Sequence, residues 1–144
     1  MARYVAIVES TLPAAEVFAY LADFRSVREW DPSVKSAELT TVGEPIRVGA
    51  GFRVSVGMLG NTTSLDYETV ELDAPHRLVL RGENSTVVST DTVTVEPRGT
   101  GSVMTYDADL ALKGPLKLFD PFMSLALGRL GANAKAGLVA KLNP

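Results

Sequence analysis

The sequence predicts an α+β fold in which helices accompany one antiparallel sheet. Two helical segments follow a first strand, and six further strand-like segments precede a long final helix. Within the strand-like segments apolar and polar residues alternate, which is typical of antiparallel strands with one buried and one solvated face. The 144 residues contain no internal repeat and no linker-like stretch, so we expect a single domain over 1–144.

The first strand and the first two helices come before residue 33. The segment "RYVAIVES" (3–10) is rich in β-branched residues and alternates. The segment "LPAAEVFAYLADF" (12–24) predicts a helix, because Pro13 suits a first helical position and an apolar stripe follows it. A short second helix over 26–30 is expected to end before Pro32, since a residue that precedes proline avoids the helical region.

Turn residues divide the middle of the chain into six strands. Gly60-Asn61 predicts a two-residue hairpin turn, the segment at 73–75 another turn, and "PRGTG" (97–101) a longer one. The strands are predicted at 33–42, 50–58, 62–73, 77–83, 86–96 and 102–112.

A helix from 121 to about 141 is predicted to close the chain. Pro121 does not fit a helix interior, so we expect Asp120 as the N-cap and Pro121 as the first helical residue. Residues 115–119 then form a preceding turn.

Composition excludes several classes of protein. The chain has no cysteine, which rules out disulfides, thiolate zinc sites and cysteine nucleophiles. A net charge of −3 argues against nucleic acid as a partner. No apolar run approaches the roughly 20 residues that span a bilayer, and residues 1–10 lack the apolar core of a signal peptide. We therefore expect a cytoplasmic protein without stable membrane insertion.

Sequence motifs for metals, nucleotides and nucleophilic catalysis are also lacking. The only histidine, His76, lies in the predicted turn "DAPHRL", where we expect an exposed residue and not a catalyst. The glycines of "GAGF" (49–52) are not followed by a helix, so a phosphate site is not expected there. The sequence therefore predicts neither a metal nor a cofactor.

Five segments, in their order and spacing, resemble a known family. They are the helix at 12–24, "WDP" (30–32), "VGAGFRV" (48–54), "ELDAPHRLVL" (71–80) and the closing helix. Together they resemble the START-like (SRPBCC) superfamily, in particular the polyketide cyclase/dehydrase and lipid-transport family, over essentially the whole chain. The resemblance implies a helix-grip fold, in which a curved seven-stranded sheet wraps around the C-terminal helix. Two short helices lie between strands 1 and 2, and a cavity separates sheet and helix.

In that fold the inward side chains of the strands and of the closing helix would meet a hydrophobic ligand. Trp30 is interpreted either as a core anchor or as a ligand contact, and Tyr67 and Tyr106 either as ligand contacts or as buried tyrosines with structural partners. Ordinary core packing is the alternative for the apolar positions, and both interpretations can hold together. The candidate ligand-binding residues are Trp30, Phe52, Val54, Val56, Met58, Tyr67, Leu78, Leu80, Asp91, Val93, Met104, Tyr106, Phe119, Phe122, Met123, Leu127 and Leu130.

Asp91 is the one candidate for catalysis. On the strand at 86–96 it shares a face with Val87, Val93 and Val95, and this valine-rich face should point inward. A buried carboxyl group without a partner has a raised pKa and can act as a general acid or base. The alternatives are that Asp91 meets Arg53, Arg81 or water, or that the inward face is displaced by one residue.

Three functions stay open from the sequence. The first is a module that sequesters or carries a hydrophobic small molecule, lipid or polyketide-like, in the cavity. The second is an aromatase/cyclase or dehydratase in which Asp91, with Tyr67 or Tyr106, moves protons. The third is a non-catalytic partner protein that acts through the outer face of its last helix.

That outer face carries the partner prediction. A helical projection places Met123, Leu127, Leu130, Ala134 and Leu138 against the sheet. The opposite side is apolar as well, and it carries Leu125, Ala132, Ala136 and Val139. We expect either a homodimer or a weaker partner contact there. The alternative is a face covered by the short helices, or a small apolar surface that needs no partner.

Overall fold

The computed structural model describes residues 2–58 and 60–144, and the side chains of Met58 and Asp120 lie outside the described part. The strands are β1 (Ala2–Ser10), β2 (Val34–Leu39), β3 (Gly51–Met58), β4 (Asn61–Asp73), β5 (Arg77–Glu83), β6 (Val87–Arg98) and β7 (Gly101–Leu112). The α-helices are α1 (Ala14–Ala22), α2 (Val27–Trp30) and α3 (Asp120–Leu142), with 3-10 helices at Phe24–Ser26 and Gly114–Phe119. This is the predicted α+β helix-grip fold, and the predicted order of elements is confirmed.

All seven strands form one antiparallel sheet in the order β1-β7-β6-β5-β4-β3-β2. Each neighbour in the chain from β2 to β7 is also a neighbour in the sheet, as hairpin connections require. The first strand pairs with the last, so the long crossover from β1 carries α1 and α2 over the inner face. The predicted inner face of β6 is confirmed, because its residues alternate between buried and half-buried up to Val95.

Predicted boundaries differ from the structure by up to three residues, as at the β3–β4 turn, the start of α3 and the end of β2. Asn61 pairs with Met58 and belongs to β4, so the β3–β4 connection consists of residues 59 and 60 and not of Gly60-Asn61. Residue 59 lies outside the described residues, and Gly60 has φ +83°, which favours glycine. The last helix begins at Asp120, one residue earlier than predicted, with Pro121 in its first turn. Strand β2 ends at Leu39, three residues early.

The C-terminal half of α3 is fastened closely to the rest of the chain. Gly131 faces the ring of Tyr4, and Gly137 faces the backbone carbonyl of Trp30, with no room for a Cβ atom at either position. At the end of the helix the Ser10 hydroxyl donates to the carbonyl of Leu142 at 2.5 Å. These contacts place α3 across the inner face of the sheet beside β1 and α2.

Candidate functional site

A cavity of about 200 Å³ lies between the inner face of the sheet and α3. Its walls are mainly apolar. The strands contribute Val54, Val56, Leu65, Val87, Leu110 and Leu112, the region of α2 contributes Phe24, Val27, Trp30 and Val34, and α3 contributes Met123, Leu127, Leu130 and Ala134. Apolar walls with a few polar groups among them are typical of small-molecule sites.

The central polar group of the cavity wall is the carboxyl group of Asp91, a residue that is 5% exposed. The Ser89 hydroxyl donates to Asp91 Oδ1 at 2.8 Å, and the Tyr106 hydroxyl donates to Asp91 Oδ2 at 2.6 Å. Burial raises the pKa of Asp91 to about 6, although both hydrogen bonds act in the opposite direction. At neutral pH this carboxyl group is therefore mostly ionised while buried, and it can exchange a proton near physiological pH.

Arg53 and Arg81, the alternative partners of Asp91, pair with other residues. Arg53 pairs with Asp66 at 2.9 Å, and Arg81 pairs with Glu83 at 2.8 Å. Both pairs lie on exposed positions because these residues occupy the outer face of the sheet, whereas Asp91 occupies the inner one.

Strand register brings Tyr106 to Asp91. Tyr106 on β7 lies directly opposite Val93 of β6, and Asp91 lies opposite Ala108. Tyr106 and Asp91 are thus diagonal neighbours on one face, a separation that a tyrosine side chain can bridge. Burial raises the pKa of Tyr106 well above its usual value, and the charge of Asp91 adds to this effect. Tyr106 therefore stays protonated and donates to the carboxylate.

Tyr67 of β4 contributes a second phenol to the cavity wall. Its ring packs against Gly82 of the neighbouring strand, where a Cβ atom would collide with it, and against the Phe24 ring at 4.9 Å between centroids. Burial raises the pKa of Tyr67 well above its usual value, the charge of Asp91 raises it further, and Ser89 acts in the opposite direction. This hydroxyl also stays neutral.

A second carboxyl group, that of Asp31, lines the same cavity. Its Oδ1 accepts hydrogen bonds from the backbone N–H of Ser33 at 2.9 Å and from the Ser33 hydroxyl at 2.7 Å. Burial raises the pKa of Asp31, and the hydrogen bonds from Ser33 lower it. The charge of Asp31 in turn raises the pKa of Asp91.

Trp30 belongs both to the core and to the cavity wall. It is 4% exposed, and its ring meets the Tyr106 ring edge to face at 5.2 Å between centroids. Its indole N–H is buried and has no hydrogen-bond partner among the described residues. The core-anchor interpretation fits this burial, and the ligand contact stays a prediction.

The structure places nine of the predicted ligand-binding residues on the cavity wall and others away from it. Five of the remainder pack in the solid part of the core, the side chain of Met58 lies outside the described part, and the last two are more than half exposed. On the wall are Trp30, Val54, Val56, Tyr67, Asp91, Tyr106, Met123, Leu127 and Leu130. In the solid core are Phe52, Leu78, Leu80, Val93 and Met104, and on the surface are Phe119 and Phe122.

Sequence reasoning missed Asp31, Ser89 and Lys135, which also line the cavity. Ser89 shares the inner face of β6 with Asp91, so the alternation that selected Asp91 was a signal for Ser89 as well. Asp31 follows Trp30 directly, but its direction depends on the end of α2, which no periodic pattern fixes. Lys135 lies beside Ala134 on α3 and is exposed.

The outer face of α3 is exposed, so the short helices do not cover it. Leu125 is 73% exposed, Val139 is 44% exposed, and Ala132 and Ala136 are exposed too. Within residues 2–58 and 60–144, no helix is long and apolar enough to cross a membrane. The same described residues hold no cluster of three or more metal-binding side chains, and His76 is exposed in its turn.

The fold and the cavity define a START-like helix-grip protein. The chain belongs to the polyketide cyclase/dehydrase and lipid transport family, whose model matches residues 1–143. No curated protein sequence matches the chain.

Solved structures share this fold at low sequence identity. A START superfamily protein from Mycobacterium smegmatis is 14% identical, with a TM-score of 0.80 over 99% of this chain and 97% of that one. The Zhui aromatase/cyclase from Streptomyces sp. R1128 is 15% identical, with a TM-score of 0.74 over 97% and 92%. The major latex-like protein 151 from Panax ginseng is 17% identical, with a TM-score of 0.60 over 94% and 95%. These identities indicate a shared fold alone.

Proposed function

We propose that the chain binds a hydrophobic small molecule, lipid or polyketide-like, in the cavity between the sheet and α3. The observation that carries this proposal is the cavity itself. It has a volume of about 200 Å³ and lies beneath α3, whose C-terminal end is hydrogen-bonded to Ser10. Folded proteins rarely leave an apolar space of this size without a use, because close packing stabilises the fold. Membership in a family named for polyketide cyclisation and lipid transport supports the same function.

Two measurements test this proposal. Native mass spectrometry of the purified protein should detect a retained hydrophobic molecule. Trp30 is the only tryptophan and borders the cavity, so its fluorescence should change when a ligand enters. A matched pair of variants on α3 gives the control. Ala134→Phe fills the cavity and should weaken uptake more than about tenfold, whereas Ala140→Phe at an exposed position should not. Equal uptake by both variants would contradict a ligand in this cavity.

A second candidate is catalysis in the same cavity, of the aromatase/cyclase or dehydratase kind. The contact between Asp91 and Tyr106 favours it, because a buried carboxyl group with a pKa of about 6 exchanges protons readily near neutral pH. Turnover of a polyketide-like substrate should then be lost in Asp91→Asn with the fold retained. Full activity in that variant would contradict the role of Asp91 as acid or base.

A third proposal concerns the exposed outer face of α3, where we expect a homodimer or a weaker partner contact. Support comes from Leu125, Ala132 and Val139, which are exposed on one side of the helix. Gly131 and Gly137 of the same helix pack against Tyr4 and Trp30 within the chain, so they give no support to a partner contact. Light scattering at micromolar concentration should give a dimer mass that falls in Ala132→Glu. A monomer mass for both proteins would contradict the dimer. A cytoplasmic location and the absence of nucleic acid partners stay predictions.

A further inference from the structure

The carboxyl groups on the cavity wall restrict the chemistry of the proposed ligand. Asp31 and Asp91 both line the cavity, and within the described residues neither forms an ion pair. Asp91 accepts hydrogen bonds only from the hydroxyl groups of Ser89 and Tyr106, and Asp31 only from Ser33. Buried carboxylates are usually paired with a cation. Here the buried Asp91 and the half-buried Asp31 have hydrogen-bond donors but no cation among the described residues.

The carboxylates of Asp31 and Asp91 have more acceptor sites than the hydrogen bonds that reach them occupy. Two carboxylates provide about eight lone-pair sites. Asp91 uses one site on each oxygen, and the two bonds to Asp31 both reach Oδ1. The hydroxyl protons of Ser89 and Tyr106 already point to Asp91, and the indole N–H of Trp30 is a buried donor on the wall without a partner among the described residues. A ligand that donates hydrogen bonds therefore finds acceptors on this wall, among them Asp31 Oδ2, which accepts no bond from the described residues.

The charges inside the cavity also favour a cationic group over an anionic one. Asp31 raises the pKa of Asp91, Tyr67 and Tyr106, so the interior opposes the formation of any further negative charge. The one basic residue among the described lining residues is Lys135, and its side chain is exposed on α3. A ligand carboxylate that reached the inner wall would face two like charges, whereas an ammonium group there would be attracted by both.

We infer that the cavity takes an apolar molecule whose polar group is a cationic amine, and that it discriminates against the carboxylate with the same carbon skeleton. This inference rests on the proposed binding function, whose site it uses. The amine would donate hydrogen bonds to Asp91 and Asp31 while its apolar body contacts the valine and leucine walls.

Three eight-carbon probes test the inference by titration calorimetry at pH 7.5 below their micelle-forming concentrations. Octylamine is cationic, octanol neutral and octanoate anionic, while the chain is the same. We expect octylamine to bind about tenfold or more tightly than octanoate, with octanol between them. The variant Ala134→Phe, which fills the cavity, separates binding inside from binding to the surface.

Carboxyl variants then assign the preference to its source. Asp91→Asn and Asp31→Asn should each reduce the ratio of octylamine to octanoate affinity about fivefold. The matched control is Asp66→Asn, since Asp66 is exposed on β4 between the cavity residues Leu65 and Tyr67. It removes the same charge outside the cavity, and the ratio should stay as in the wild type. Because each carboxyl group is tested by itself, misfolding of one variant leaves the other informative.

The outcomes separate this inference from the proposed function. If none of the probes binds, or if Ala134→Phe binds them all as well as the wild type, the proposed function fails. If octanol enters the cavity but octanoate binds as tightly as octylamine, the amine inference alone is overturned. Loss of that octanoate binding in Lys135→Met would place the ligand's polar group at Lys135 instead.

Discussion

The inner face of β6 borders both a solid interior, which is the packed core, and a hollow interior, which is the cavity. Val93 and Val95 are almost completely buried and lie in the solid core. Ser89 and Asp91, four and two residues before Val93 on the same face, border the cavity instead. One face of a single strand therefore contributes both to the packed core and to the cavity wall. On β6 the polar side chains Ser89 and Asp91 border the cavity, whereas Val93 and Val95 are packed on all sides.

The helices explain why the two interiors differ. At the solid end, α1 packs its buried side chains Val17, Phe18 and Leu21 against β6 and β7. At the hollow end, α3 lies above the strands and is fastened to β1 and α2. There the space is bordered by α3 residues such as Met123 and Leu127 and by Val27 and Trp30 of α2. The cavity is therefore the part of the inner face that α1 does not cover.

The largest expected effect belongs to Trp30, which borders the hollow interior yet is buried like a core residue. Trp30→Ala should lower the free energy of unfolding by about 3–5 kcal/mol, the usual cost of removing a large core aromatic side chain. Chemical denaturation measures this directly. Almost unchanged stability together with weaker ligand uptake would mean that Trp30 serves the ligand and not the core.

A matched pair of leucines compares the two interiors themselves. Leu80 is completely buried in the solid core, and Leu110 is 9% exposed on the cavity wall. Leu80→Ala should cost about 4 kcal/mol and Leu110→Ala about 2 kcal/mol, because a side chain beside an existing cavity loses fewer packing contacts. Denaturant unfolding of both variants provides the measurement. Equal costs would indicate that the cavity closes in solution.

Protonation of Asp91 should make the hollow interior sensitive to pH. Its pKa rises on folding from an ordinary 3.8 to about 6, because burial disfavours the charged form. The folded protein thus holds the proton more tightly than the unfolded chain. This stabilising contribution is complete below about pH 4 and is lost as the pH rises through 6.

The neutral variant Asp91→Asn isolates this contribution. Relative to the wild type, its free energy of unfolding should increase by up to about 3 kcal/mol between pH 4 and pH 7. The comparison across pH cancels any constant effect of the hydrogen bonds to Ser89 and Tyr106. A difference that does not change with pH would show that Asp91 is well solvated, and the hollow interior would then be wet.

The sequence was sufficient for the fold but not for the division of its interior. Alternation identified the inward face of β6, including Asp91, because residues on one face of a strand recur with period two. The same rule selected Phe52, Leu80 and Val93 as ligand-binding candidates, and these lie in the solid core. Periodicity indicates that a side chain points inward, but it carries no information on which helix covers that side chain. Asp31 was missed for a related reason, since its direction depends on the turn after α2.

The smallest expected effects come from substitutions of two glycines of α3. They test which contacts position this helix above the cavity. Gly137 faces the Trp30 carbonyl without room for a Cβ atom, whereas nothing lies within 4 Å of a Cβ atom at Gly128. Gly137→Ala should therefore cost about 1–3 kcal/mol, because α3 or α2 must move to relieve the collision. Gly128→Ala should instead stabilise the protein by about 1 kcal/mol, since alanine favours the helix and meets no obstacle.

Thermal or denaturant unfolding distinguishes these opposite signs, and ligand titration adds the functional consequence. If the contact at Gly137 holds α3 in place, Gly137→Ala should also change the affinity for octanol, because the cavity lies beneath the same helix. Gly128→Ala should raise stability and leave that affinity within about twofold of the wild type, since its new methyl group points away from every neighbour. Stabilisation by both substitutions would mean that α3 is free to shift over the cavity, and the fastening at α2 would then not be what keeps this interior open.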